Sequence, residues 1–251
     1  RIPKMSNYTD FNVFELIPGV SVRYISSVSE LGRPDMIVIP GTKNTIADLL
    51  WMRQNGIEAE IMKQASNGTV VFGVCGGYQI LGRILSDPFG VEAGGDVPGM
   101  NLLPVETIFA EKKRTIQIHG NFDKVEGIFK NLSGLPFFGY EIHSGVTNLE
   151  GGKTLNLMQP INEPGELVPE GAQNITGKYN VYGSYCHGIF DGDKIAQTIV
   201  EALLTKKGMK LEDFKTFSFA DYKKQQYDIL ADYIRNSINM KEIYRIIEEG
   251  V

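Results

Sequence analysis

The sequence predicts an α/β protein with a mainly parallel, flavodoxin-like sheet flanked by helices. Two observations lead to this prediction. Strand-type and helix-type segments alternate through the first 80 or so residues, and the glycine-rich bend "GVCGGYQILG" (73–82) joins a strand to a helix. Alternation at this spacing is typical of crossover units between parallel strands.

The first part of the chain gives the clearest elements. "DMIVIP" (35–40) has the apolar run of a buried strand and stops at a Pro-Gly pair, and Asn44 is a suitable N-cap for the helix that follows. In order, the predicted elements are strands at 20–25, 35–40 and 69–74 and helices at 44–56 and 56–68.

The middle of the chain differs from the first part in composition and in predicted structure. Gly and Pro are frequent in 86–106, which predicts a long loop, and 151–174 is predicted to be an irregular polar insertion. Residues 107–122 and 177–190 have the pattern of antiparallel or mixed-sheet strands.

The end of the chain predicts an amphipathic helical tail, because apolar residues recur every three to four positions from about Asp221 onward. We therefore expect one domain over residues 1–205, with a C-terminal helical extension at 206–251 packed on it.

Composition narrows the class of protein. The 251 residues carry a net charge of −5, which disfavours a nucleic-acid partner. No apolar run approaches the roughly 20 residues of a membrane span, and no signal peptide is visible. Two cysteines form no disulfide framework and no metal-ligand cluster is apparent, so we expect a cytoplasmic protein without a metal site.

Cys75 is the residue that the bend presents. A strand followed by Gly-x-Cys-x-Gly and a helix matches a nucleophile elbow, where small neighbours permit a strained conformation. The helix that begins beyond it is expected to favour the thiolate. An inert buried cysteine beside a glycine turn is the alternative.

A cysteine nucleophile needs a base, and the chain has three histidines. His119 lies in a polar hairpin-like region, and His143 in "GYEIHSG" has a possible binding role. His187 follows an apolar strand and precedes a glycine. Catalytic groups gather at the carboxyl ends of parallel strands, so His187 is the predicted base.

Taken together, these motifs resemble the class I, or triad-type, glutamine amidotransferases, and among them the glutaminase domains of the cobyric acid synthase family. The resemblance runs nearly end to end. It is carried by "PKMSNYTDF", "VIPGTKNTIADLLWMR" (38–53), "GVCGGYQILGRILSDPFGVE" (73–92), "LLPVETIF" (102–109), "GYEIHSG" (139–145) and "GSYCHGIFD" (183–191).

The resemblance implies a mechanism for this chain. Cys75 would attack the side-chain amide of glutamine and form a γ-glutamyl thioester, with His187 as the general base. The backbone N–H groups of Gly41 and Gly76 would form the oxyanion hole. Gln79 and His143 would contact the substrate.

One position departs from the amidotransferase pattern. Most of the family has His-x-Glu, whose Glu orients the imidazole, but this chain has Ile189 there. Asp191, Glu141 or a group from a partner domain could replace it, and Asp191 is the candidate we favour.

The resemblance also implies a missing partner. No Gly-x-x-x-x-Gly-Lys-Ser/Thr loop is present, so ATP and Mg²⁺ are expected at an N-terminal synthetase domain absent here, with no cofactor in this chain. Ammonia from glutamine would amidate corrinoid carboxylates there. Cobyrinic acid a,c-diamide synthase, a lipid II isoglutaminyl synthase glutaminase and a catalytically silent binding module are the alternatives.

Overall fold

The computed structural model describes residues 1–162, 165–209 and 218–250, and its strands form two sheets. The strands are β1 (Met36–Ile39), β2 (Val70–Val74), β3 (Ile84–Asp87), β4 (Gly95–Pro98), β5 (Val105–Phe122), β6 (Pro136–Leu149), β7 (Asn156–Pro160), β8 (Val168–Glu170), β9 (Ala172–Asn174) and β10 (Val181–Ser184).

The helices confirm the predicted pair at 44–56 and 56–68, and Asn44 caps the first of them by accepting the N–H of Ala47 at 2.8 Å. The α-helices are α1 (Asn12–Glu15), α2 (Val28–Leu31), α3 (Thr45–Gln54), α4 (Ile57–Ser66), α5 (Gly76–Ile80), α6 (Asp193–Lys206), α7 (Phe219–Ser237) and α8 (Met240–Glu249). Short 3₁₀ helices span Tyr8–Phe11 and Gly127–Leu132. Across the described ranges, none of the helices combines the length and apolar character that a membrane crossing requires.

The predicted parallel sheet is the four-stranded one. Its order is β1-β2-β10-β9; β1, β2 and β10 are parallel, and β9 is antiparallel at one edge. Strands β2 and β10 are neighbours and both point the same way, so the residues that follow them meet at one edge of the sheet. Cys75 and His187 are among those residues.

The second sheet has six strands and is mostly antiparallel. Its order is β4-β3-β5-β7-β8, with β6 also paired to β5. Among the strand pairs of the described residues in this sheet, β3 and β5 are parallel and the others antiparallel. The predicted loop at 86–106 was wrong where it contains β4, and the predicted insertion at 151–174 was wrong where it contains β7, β8 and β9. These short strands are stabilised by their partners across the sheet and show little apolar alternation of their own.

The strand predicted at residues 20–25 is also not formed. The Val20 N–H donates to Ile17, and the carbonyl of Ile25 accepts from the amino group of Arg1, so this backbone does not pair with β1. An apolar cavity of about 540 Å³ lies between the segment and β1.

Close packing at the elbow explains its glycines. A Cβ at Gly77 would lie 2.0 Å from the carbonyl oxygen of Ile39, and one at Gly73 would lie 2.6 Å from the backbone of Gly77. Helix α5 therefore sits directly against the ends of β1 and β2 only because these two positions have no side chain.

The predicted amphipathic tail is confirmed as helices α7 and α8, which leave large apolar side chains such as Tyr233 and Ile247 exposed. Lys223 in α7 forms a 2.8 Å ion pair with Asp191, which ties the tail to the first 205 residues. Residues 210–217 and 251 of the predicted 206–251 extension lie outside the described residues, and the proposed domain boundary stays a prediction.

Candidate active site

Cys75 has a strained backbone, as a nucleophile elbow requires. Its φ of 51° and ψ of −109° lie in a region that L residues rarely adopt, and its N–H donates to the carbonyl of Ser184 at 2.8 Å. The bond to Ser184 holds the end of β2 against the end of β10. The thiol is thereby fixed at the carboxyl edge of the parallel sheet.

The electrostatics of the thiol differ from the sequence-based expectation. Burial raises the pKa of Cys75 to about 12, and the negative charges of Asp10 and Glu141 act in the same direction. The N–H of Gly76 and the charge of Lys113 oppose this rise and do not overcome it. The sulfur is therefore a neutral thiol at pH 7, and a thiol of this kind needs a base to become a nucleophile.

His187 is held by a carboxylate that sequence reasoning missed. Its Nδ1 lies 2.7 Å from Oδ2 of Asp10, while the N–H of Gly188 donates to Oδ1 of the same residue at 2.9 Å. Both Asp10 and His187 are almost fully buried. The carboxylate accepts a hydrogen bond from Nδ1–H of the imidazole. In this tautomer Nε2 carries no proton and is the ring nitrogen that can accept one from a thiol.

The prediction that Asp191 orients His187 is not met by this geometry. Its Oδ2 pairs with Lys223 at 2.8 Å, and its N–H donates to the carbonyl of Gly188. The Nδ1 position that it would need is already bonded to Asp10, which arrives from 177 residues earlier in the chain. The only sequence signal for Asp10 was its place in "PKMSNYTDF".

The turn at Gly41 is adjacent to both catalytic candidates. A Cβ on Gly41 would lie 2.8 Å from Cε1 of His187, and a Cβ on Gly76 would lie 2.6 Å from Cγ2 of Thr42. Gly76 is the first residue of α5, where a backbone N–H has no partner inside the helix. The Gly41 carbonyl accepts from Ser6 at 2.9 Å, which fixes the segment that carries Asp10.

The edge of β6 that faces away from β5 runs across the site. Tyr140 exchanges backbone hydrogen bonds with His187 and stacks on its ring, with centroids 5.2 Å apart. Two residues further on, the carbonyl of Ile142 accepts the Cys75 thiol at 3.7 Å. The same strand segment therefore contacts both the thiol of Cys75 and the imidazole of His187, and their joint catalytic role stays a prediction.

Gln79 and His143 lie beside that edge. The Gln79 amide accepts from Thr45 at 2.9 Å and donates to the Ser144 carbonyl at 3.2 Å and to the Tyr185 hydroxyl at 3.0 Å. His143 stacks on the Tyr185 ring with centroids 3.6 Å apart. The structure gives Gln79 a role in holding β6, and its contact with substrate stays a proposal.

Glu170 supports the strand end that leads to His187. Its Oε1 accepts the N–H of Tyr185 at 2.6 Å, and its Oε2 accepts from Asn156 at 2.8 Å and from Ser184 at 2.7 Å. Burial raises the pKa of Glu170 to about 7 and outweighs these bonds, which favour the charged form.

We expect Glu170→Gln to flatten the pH dependence of stability. The folded-state pKa of about 7 lies above the usual 4.5, so the contribution of Glu170 is complete below pH 4.5 and is lost as pH rises through 7. The loss is on the order of 3 kcal/mol. Urea unfolding at pH 5 and pH 8 measures it, and equal pH slopes for the variant and the unmodified chain would contradict the assignment.

Comparison with known proteins identifies the family. A family model described as the CobB/CobQ-like glutamine amidotransferase domain matches residues 1–195. The chain belongs to this family. Cys75, His187 and the turn at Gly41 all lie inside the matched region.

Curated relatives of this CobB/CobQ-like chain are cobyric acid synthases. The chain is 48% identical to that of Ruminiclostridium cellulolyticum over 255 residues, covering 100% of this chain and 48% of that protein. It is also 48% identical to that of Lachnoclostridium phytofermentans over 255 residues, covering 100% of this chain and 50% of that protein. The chain thus spans about half the length of the curated relatives it matches.

Solved structures agree on the fold. A glutamine amidotransferase crystal structure matches with a TM-score of 0.53 and 19% identity, covering 82% of this chain and 96% of that one. PurLQS from Thermotoga maritima matches with a TM-score of 0.54 and 16% identity, with the same 82% and 96% coverage. At these identities the comparison shows the fold alone, and that fold is the expected class I amidotransferase fold.

Proposed function

We propose that this chain is the glutaminase half of a cobyric acid synthase and hydrolyses glutamine through a thioester on Cys75. The observation that carries the proposal is a thiol on a strained elbow and an imidazole bonded at Nδ1 to Asp10, both contacted by the same segment of β6. Family membership and the relatives' name support the choice of glutamine and of a corrinoid acceptor.

The first half of the reaction forms the thioester. The Cys75 sulfur bonds to the side-chain amide carbon of glutamine while Nε2 of His187 takes the thiol proton. Negative charge develops on the amide oxygen, where the N–H groups of Gly41 and Gly76 would donate, each worth about 3 kcal/mol. His187 returns the proton to the amide nitrogen, the carbon–nitrogen bond breaks, and ammonia leaves.

The second half restores the enzyme. His187 removes a proton from water, the water oxygen bonds to the thioester carbon, and the carbon–sulfur bond breaks. The proton returns to the Cys75 sulfur. Glutamine and water have then become glutamate and ammonia, and the chain is unchanged.

We assign the use of ammonia to the part of the cobyric acid synthases that this chain does not cover. There, ATP with Mg²⁺ would activate carboxylates of adenosylcobyrinic acid a,c-diamide at the b, d, e and g positions. Ammonia is mostly protonated in neutral water, and ammonium is not a nucleophile. The burial of Cys75 and His187 supports release into a shielded passage between the two halves.

Incubating the chain with L-glutamine tests the proposal. We expect glutamate and ammonia in equal amounts, no hydrolysis of L-asparagine, and labelling of Cys75 by a glutamine-like diazoketone. A chain that neither hydrolyses glutamine nor is labelled at Cys75 would contradict the proposed function.

A further inference from the structure

An unpaired imidazole lies beside the nucleophile. His143 is 8% exposed, and neither Nδ1 nor Nε2 has a hydrogen-bond partner among the described residues. A buried polar atom without a partner costs about 1–3 kcal/mol. Neither the catalytic step nor the packing of Tyr185 on the ring uses these nitrogens, so they point to a ligand group.

A buried carboxylate accompanies this imidazole. Glu141 is 2% exposed, and its Oε1 lies 3.7 Å from Nε2 of His143. Its other oxygen accepts from Nε of Arg114. Burial acts to raise the pKa of Glu141, but the nearby His143 and Arg114 side chains outweigh it and the pKa is lowered. The Nη groups of Arg114, a half-exposed side chain, form no hydrogen bond with the residues that the structure describes.

Glu141 and His143 lie next to the strand residue that contacts the sulfur. Glu141 and His143 flank Ile142, whose carbonyl accepts the Cys75 thiol at 3.7 Å. They share one face of β6, because residues two apart on a strand point to the same side of the sheet.

We propose that Glu141, His143 and Arg114 form the subsite for the α-amino and α-carboxylate groups of glutamine. The ammonium donates to Glu141 and to the acceptor nitrogen of His143, and the α-carboxylate accepts from the Nη groups of Arg114. The zwitterion matches a site with one anionic and one cationic side chain. In the structure these two side chains form an ion pair with each other. The assignment rests on the proposed function.

Substrate analogues separate this role from a structural one. The measurement is kcat/KM for L-glutamine and for glutaramate, which is glutamine without its α-amino group. We expect Glu141→Gln to lower kcat/KM about 10²-fold for glutamine and less than about 3-fold for glutaramate, because only glutamine loses a charged hydrogen bond. The exposed Glu111→Gln on the same hairpin is the matched control and should change neither value.

A second variant covers the case in which Glu141→Gln fails to fold. Arg114→Met changes a half-exposed side chain. It should lower kcat/KM for glutamine more than kcat/KM for 4-aminobutanamide, which lacks the α-carboxylate. Equal losses on the full substrate and on its analogue overturn the subsite. If the unmodified chain hydrolyses no glutamine and Cys75 resists the diazoketone, the proposed function itself fails and the subsite falls with it.

Discussion

Replacing Cys75 with serine is expected to lower glutamine hydrolysis by at least about 10³-fold. A serine hydroxyl is a far weaker nucleophile than a thiol at this site, and the buried environment that raises the pKa of Cys75 to about 12 disfavours an alkoxide further. Glutamate release by the folded variant is the measurement, with circular dichroism to confirm the fold.

Cys186 provides the matched control for the loss of a thiol. It is also buried. Among the described residues, the one hydrogen-bond partner of its sulfur is the backbone carbonyl of His187, 3.4 Å away. We expect Cys186→Ala to retain hydrolysis within about 10-fold. If hydrolysis survived Cys75→Ser and disappeared in Cys186→Ala, the nucleophile would be Cys186 and the assignment of Cys75 would be wrong.

Replacing Asp10 with asparagine should have the next largest effect, a fall in kcat of about 10³-fold with little change in KM. The asparagine amide would donate to Nδ1 of His187 and force the ring proton onto Nε2. The imidazole could then not accept the thiol proton from Cys75. The N–H of Gly188 would still find the amide oxygen, so the fold should persist.

Asp191→Asn is the control for Asp10, because this carboxylate lies in the same region but pairs with Lys223. We expect it to change kcat by less than about 10-fold. If Asp191→Asn were as damaging as we expect Asp10→Asn to be, and Asp10→Asn were mild, the orienting role would return to Asp191.

The parts of the site that were predictable from sequence are local. The elbow at Cys75 is encoded by five consecutive residues, and His187 is found by its place after an apolar strand. Asp10 was not predictable, because its contact with His187 spans 177 residues and nothing nearby marks it as a partner. The raised pKa of Cys75 was missed because burial outweighs the helix terminus, and burial depends on how β6 closes the site.

The fold shows the same division. The strands and helices between residues 35 and 80 have clear local signals, namely apolar runs, the Asn44 N-cap and closing glycines, and were predicted to within about two residues. Short strands such as β8 and β9 depend on partners elsewhere in the sheet, so their polar sequences predicted loops. The apolar segment at 20–25 shows the converse, because strand-type residues form no strand without a paired neighbour.

The proposed function depends on transfer of the γ-glutamyl group of glutamine to the sulfur of Cys75, with release of ammonia. Acid quenching of the chain during turnover, followed by mass spectrometry of its peptides, tests this directly. We predict that the peptide containing residue 75 gains the mass of one glutamyl group, that hydroxylamine removes it, and that Cys75→Ala does not acquire it. Sustained glutamate production with no adduct on that peptide, or an adduct elsewhere in the chain, would contradict the account.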